Sequence, residues 1–160
     1  MSRLLSRASD ESSNCARSNL GDPKRQISEA IDQIRDQIKV TSVSKLIETE
    51  PVGVADKQPN YINAVLIGES DLRPLDLMKV LSDIENKMGR FRSFPNAART
   101  IDIDIIDYGG LFMESPELTL PHPRAHLRRF VLAPWLEIDP EGELSGHGPI
   151  RQLLANLEAK

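Results

Sequence analysis

Cysteine is nearly absent. Cys15 is the one thiol in 160 residues, so neither an internal disulfide nor a thiolate zinc site can be built. A reducing, cytoplasmic setting is the expectation that follows. Aromatic residues are scarce at 4%, which removes the stacking platform that single-stranded nucleic-acid binders use. No apolar run approaches the roughly 20 residues of a membrane span. The first 16 residues also lack the apolar segment of a secretory signal. A surplus of positive charge is missing too: 20 Lys and Arg against 24 Asp and Glu leave a net charge of −4. That balance argues against a general polyanion binder, so neither nucleic acid nor membrane is an expected partner. What remains, with 39% hydrophobic and 28% charged residues, is one soluble domain.

Residues 1–16, MSRLLSRASDESSNCA, hold one apolar pair and read as an atypical, disordered leader before a domain over 17–160. Order begins at Asp22-Pro23, a cap followed by a first helical position where a missing N–H costs nothing. Ile27, Ala30, Ile31, Ile34 and Ile38 then recur at helical spacing through about residue 39. Val43 to Ile47 and Tyr61 to Ile67 read as strands across a loop with Pro51, Gly53 and Pro59. Asp71 and Pro74 open a second helix with Leu77, Met78, Leu81, Ile84 and Met88 on one face, and Gly89 stops it. Thr100 to Ile105 alternates strictly and is the clearest strand. Residues 124–132 read as a short helix and 149–158 as a terminal one. With one strand added in front, the order predicts an α+β, ferredoxin-like antiparallel sheet. Helices cover one face of it, and helical additions follow at the C-terminus. That first strand reads as degenerate or missing.

Asp102 and Asp104 lie two apart on the alternating strand, so they share a face at a Cα spacing of roughly 6–7 Å. Two adjacent carboxylates repel unless a divalent cation relieves them, and hard oxygen ligands on a strand suit Mg²⁺ with substrate phosphates. Alternation alone also fits a half-exposed strand whose acids face water. The neighbouring segments shift the balance. Residues 86–101 carry Lys87, Arg90, Arg92 and Arg99 without an acid, and 122–136 carry Arg124, Arg128, Arg129, His122 and His126 without one. These seven of the 20 basic residues make a local cationic site inside an acidic protein, suited to clamping phosphate oxygens. Tyr61 and Asn63 share a strand face and pair a ring with a carboxamide, as a flat polar heterocycle requires. Phe130 is either an opposing ring or core.

Arg99-Thr-Ile-Asp-Ile-Asp-Ile-Ile106, preceded by Gly89-Arg90-Phe91-Arg92, resembles the signature of the hydroxymethyldihydropterin pyrophosphokinase family. So do Ser18-Asn-Leu-Gly-Asp-Pro23, Gln58-Pro-Asn-Tyr-Ile-Asn63, Leu120-Pro-His-Pro-Arg124 and Arg128-Arg-Phe-Val-Leu-Ala-Pro134, in order from about Ser18 to Pro140. The resemblance implies a ferredoxin-like monomer of folate biosynthesis. Such an enzyme moves pyrophosphate from ATP to the hydroxymethyl group of a reduced pterin and releases AMP. It implies that Asp102 and Asp104 hold two Mg²⁺, with Arg90 and Arg99 neutralising charge at the transferred group and Arg92 nearby on the nucleotide side. Glu85, Ile105, Thr119, His122 and Arg128 match positions that contact ATP. Thr49, Pro51, Val52, Tyr61, Asn63 and Phe130 match the pterin pocket, with the ring between Tyr61 and Phe130. The chain departs from the family pattern at Arg17, where a glycine is usual, at Ser82, and at Asn96-Ala97-Ala98, where many members carry Trp-Gly-Pro. The alternative expectation is a degenerate homologue that binds nucleotide or pterin without efficient turnover.

Overall fold

Proline sets where both helices of the first half begin. The Asp22 carboxylate accepts the Arg25 N–H at 3.1 Å, so α1 (Pro23–Arg35) starts with a side-chain cap and a residue that has no N–H to satisfy. Its Ile27, Ala30, Ile31 and Ile34 are buried. Pro74 also opens α2 (Pro74–Lys87), but Arg73 rather than Asp71 stands at its cap and gives no side-chain bond there; Leu77, Leu81 and Ile84 form its buried stripe. Gly89, at a φ of 93°, adopts the left-handed conformation that closes the turn after it. These two helices were legible in the sequence.

The computed structural model describes residues 22–50, 60–89 and 101–159, together with the backbone of 11–18. Five strands form the main sheet: β1 (Glu11–Ser18), β2 (Lys39–Val43), β3 (Ile47–Thr49), β4 (Tyr61–Glu69) and β5 (Asp102–Tyr108). Their order is β2-β4-β1-β5, with β3 also paired to β4, and every pairing is antiparallel. The fold is therefore α+β.

The expectation of a missing first strand is corrected. Glu11–Ser18 is a strand, and it lies between β4 and β5, so the expected leader of 1–16 overlaps it. The physical reason is that a ladder is made by the backbone. β4 and β5 each present a row of N–H and C=O groups, and residues 11–18 satisfy both rows even though ESSNCARS has no strand-like apolar pattern. The register sets Arg17 opposite both Asn63 and Asp102, and Cys15 opposite Val65 and Asp104.

Three boundaries also differ. α1 stops at Arg35 rather than near 39, although Ile38 still reaches the core. The strand expected over 43–47 is a break between β2 and β3. There Ser44 donates its N–H to the Val65 carbonyl at 2.8 Å, and its Oγ accepts the Val65 N–H at 2.9 Å. A side chain takes over one ladder bond, which lets the chain bend. The short helix expected at 124–132 is a 3₁₀ turn at Ala125–Leu127 followed by α3 (Arg129–Ile138).

Two small hairpins, β6 (Met113–Glu114) with β7 (Thr119–Leu120) and β8 (Glu143–Leu144) with β9 (Gly148–Pro149), precede and follow α3; the C-terminal helix α4 (Ile150–Glu158) completes the described chain. The core is divided by the sheet. On one face Ile62, Ala64, Leu66, Ile103 and Ile105 pack against α1 and α2. On the other, Val65 and Ile106 pack against Val131, Leu132 and Trp135 of α3 and Ile150 of α4. Burying each such Ile or Leu contributes about 1.5–3 kcal/mol. Among the described residues no helix is long and apolar enough to cross a membrane.

Candidate active site

Strand alternation builds the site. Ile101, Ile103 and Ile105 are buried toward α1 and α2, so Asp102 and Asp104 face the other way and remain half-buried. The segment after β7 returns along the outer edge of β5. The His122 N–H donates to the Ile106 carbonyl at 2.7 Å, which anchors that return. The His122 ring then places Nε2 3.6 Å from Asp104 Oδ2, and Arg128 Nη1 lies 4.0 Å from the same oxygen.

His122 Nδ1 accepts the Arg124 N–H at 3.1 Å, so the neutral ring carries its proton on Nε2, toward Asp104. Burial holds the His122 pKa below the ordinary value, while the Asp104 charge opposes that shift and the Arg128 charge reinforces it. The ring is therefore neutral at pH 7 and stands as a donor beside the carboxylate. Asp104, His122, Thr119 and Ile105 line a cleft of about 270 Å³. The side chain of Ile105 belongs to the core at 3% exposure.

A larger cavity of about 1120 Å³ opens on the same face of the sheet, lined by Thr49, Phe130, Arg128 and Arg124 among others. The Arg128 guanidinium lies 5.6 Å from the Phe130 ring centre, linking the cavity to Asp104. Behind Thr49 sits Asn63, with no exposed surface. Its Nδ2 donates to Thr49 Oγ1 at 2.8 Å and faces the carbonyls of Ile47 and Tyr61, which fixes the orientation of the amide. Among the described residues Asn63 Oδ1 has no hydrogen-bond partner. A buried acceptor left unsatisfied costs about 1–3 kcal/mol, which a ligand N–H would recover. Tyr61 pairs with Thr49 in register, so Thr49, Tyr61, Asn63 and Phe130 are gathered at one end of the sheet.

Glu85 is brought to the pair from the opposite side: it is 3% exposed, and its Oε1 accepts the Ile103 N–H at 2.7 Å. Arg90, Arg92, Arg99, Pro51 and Val52 lie outside the described residues. Arg124 also lines the cavity, although nothing in its basic segment sets it apart from its neighbours.

The donor set suits a hard divalent cation. Asp102 and Asp104 offer carboxylate oxygens, and among the described residues no group of three or more His, Cys, Asp or Glu side chains stands ready to cage an ion. A cation held by this pair would need its remaining ligands from water or phosphate, the kind of coordination that Mg²⁺ accepts.

Fold and geometry together define an α+β domain with a carboxylate pair beside a cationic cleft. A family model described as 7,8-dihydro-6-hydroxymethylpterin-pyrophosphokinase matches residues 16–140. The 2-amino-4-hydroxy-6-hydroxymethyldihydropteridine pyrophosphokinase of Pseudomonas aeruginosa is 36% identical over 140 residues, covering 86% of each chain. That of Haemophilus influenzae is 40% identical over 124 residues, covering 76% of each. The folic acid synthesis protein FOL1 of Dictyostelium discoideum is 39% identical over 123 residues, 77% of this chain but 19% of its own length. The fold is shared with a crystal structure of Plasmodium falciparum HPPK-DHPS at a TM-score of 0.73 and 14% identity, covering 94% of this chain and 46% of that one. The chain belongs to the 7,8-dihydro-6-hydroxymethylpterin pyrophosphokinase family.

Proposed function

We propose that this chain transfers pyrophosphate from ATP to 6-hydroxymethyl-7,8-dihydropterin in folate biosynthesis. The hydroxymethyl oxygen bonds to the β-phosphorus, the bond to the α-phosphate oxygen breaks, AMP leaves, and the hydroxyl proton passes to solvent. The observation that carries this reading is the coincidence, on one face of one sheet, of the Asp102–Asp104 pair and the unsatisfied Asn63 acceptor. β1 joins them, since Arg17 pairs with Asn63 on one side and Asp102 on the other.

In this reading Asp102 and Asp104 hold Mg²⁺, two ions in all, and the metal supplies neutralisation of the phosphate oxygens when bound. Arg90 and Arg99 offset charge at the transferred group, with Arg92 beside the nucleotide. His122 and Arg128 flank Asp104 and bind phosphate oxygens, while Ile105 and Thr119 line the nucleotide side. Thr49, Pro51, Val52, Tyr61, Asn63 and Phe130 take the pterin, and Asn63 Oδ1 accepts a ring N–H. Phosphoryl-type transfer asks for little beyond positioning and charge neutralisation, which these groups provide. The strand order supports a ferredoxin-like assignment, and we propose a cytoplasmic monomer.

The test is incubation of the protein with ATP, Mg²⁺ and the reduced pterin. AMP and pterin diphosphate are expected in equal amounts, and only when all three are present. Formation of ADP instead, or nucleotide binding with no AMP, overturns the reading.

A further inference from the structure

Among the described residues β5 is an edge strand, because the order β2-β4-β1-β5 leaves its outer side without a strand neighbour. An edge presents N–H and C=O groups that must find partners when they are buried. On β5, two such groups that bracket Asp104 are met from outside the sheet. The Ile106 carbonyl accepts the His122 N–H at 2.7 Å, and the Ile103 N–H is accepted by Glu85 Oε1 at 2.7 Å.

Ile103 stands between Asp102 and Asp104. Its N–H belongs to the peptide unit that joins it to Asp102, so a bond to that group fixes the backbone from which the Asp102 side chain departs. Glu85 occupies the buried stripe of α2, one turn after Leu81 and beside Ile84, where an apolar residue would pack without cost. A carboxylate at 3% exposure is expensive unless its oxygens are used. Here Oε1 is used by the amide of the peptide unit that joins Asp102 to Ile103.

We propose that Glu85 is a positioning residue for the aspartate pair: its carboxylate stands in for a missing strand at Ile103 and holds Asp102 and Asp104 in register for a divalent cation. This rests on the reading of the two aspartates as cation ligands. It assigns Glu85 a role toward the strand rather than direct contact with nucleotide.

The experiment measures the Mg²⁺ concentration for half-maximal binding of α,β-methylene-ATP, which cannot be cleaved at the bond concerned, to the full chain and to Glu85→Gln and Glu85→Leu. Pterin binding serves as the control for folding. Glu85→Leu removes the acceptor and is expected to raise the Mg²⁺ midpoint by about tenfold, the size of effect usual when a group that orients a metal ligand is lost. Glu85→Gln keeps an acceptor oxygen and is expected to stay within about threefold, with pterin affinity unchanged in both. Equal shifts in the two variants, or no shift in either, overturn the proposal. Should Glu85→Leu fail to fold, Glu85→Ala removes the same acceptor and is expected to show the same shift of about tenfold. Hydrogen exchange at the Ile103 amide, slow in the unaltered protein and in the Gln variant, then reports the bond itself. Nucleotide binding by the unaltered protein that ignores Mg²⁺ removes the cation reading and this proposal with it, whereas a fast-exchanging Ile103 amide removes this proposal alone.

Discussion

Along β4, Ile62, Ala64 and Leu66 pack toward α1 and α2, while Asn63 and Val65 between them face α3. β5 repeats the division, with Ile103 and Ile105 on the first face and Asp102, Asp104 and Ile106 on the second. The first face is apolar from end to end. The second is apolar only in its middle, and at one end it gives up packing for an amide and two carboxylates. Period-two alternation thus lets one pair of strands hold the fold with one set of side chains and present a site with the other. Changes on the first face should cost stability, and changes at the site end of the second should cost binding or turnover.

The largest expected effect is at the site. Asp102→Ala should lower AMP release by about 10³-fold while thermal stability stays close to that of the unaltered protein, as simultaneous turnover assays and melts would show. Leu81→Ala, on the opposite face and fully buried, should destabilise by about 2–5 kcal/mol in denaturant titration. Turnover per folded molecule should stay within about threefold of the original, since Leu81 packs in the core on the sheet face turned away from Asp102 and Asp104. Asn63→Leu should weaken pterin binding by about tenfold, equivalent to one lost hydrogen bond in a buried pocket, with nucleotide binding unaffected in calorimetry. Should Asn63→Leu instead weaken nucleotide binding equally, the two ends of the site are not separate.

Gly142 tests the second face away from the site. A Cβ there would fall 2.5 Å from Trp135 Nε1 and 2.6 Å from Asp139 Oδ2, and Trp135 has no exposed surface. Gly142→Ala should therefore cost about 1–3 kcal/mol through displacement of the indole, without altering Mg²⁺ dependence.

The smallest effect expected is that of pH. Burial lowers the folded-state pKa of both His122 and His126, with the His147 ring stacked on His126 at 4.1 Å adding to the second shift. The unfolded chain therefore takes up protons first. This contribution to stability is fully present above the unfolded value near 6.5 and is lost as pH falls below it, which melts at pH 7.5 and 5.5 would reveal.

How much the sequence disclosed followed the strength of its periodicity. The stripes of α1 and α2, their proline starts and the Ile-Asp alternation of β5 could be read directly, because each is a local pattern with a local cause. The aspartate pair and the Tyr61–Asn63 face followed from the same alternation. β1 could not be read, since its polar residues carry no strand pattern and its place is set by the two strands that need its backbone. The break at Ser44 was hidden because a hydroxyl replaces a ladder acceptor there. The bond from the Ile103 N–H to Glu85 was hidden as well: the spacing of Glu85 fits the apolar face of α2, and only the tertiary fold brings it to Ile103.

The most direct measurement is thermal unfolding and AMP release on the same preparation of Asp104→Ala, whose carboxylate meets both His122 and Arg128. A melting temperature within about 2 °C of the original, with AMP release reduced by about 10³-fold, is the predicted result. Retained AMP release, or a loss of activity that merely tracks a loss of folded protein, would contradict it.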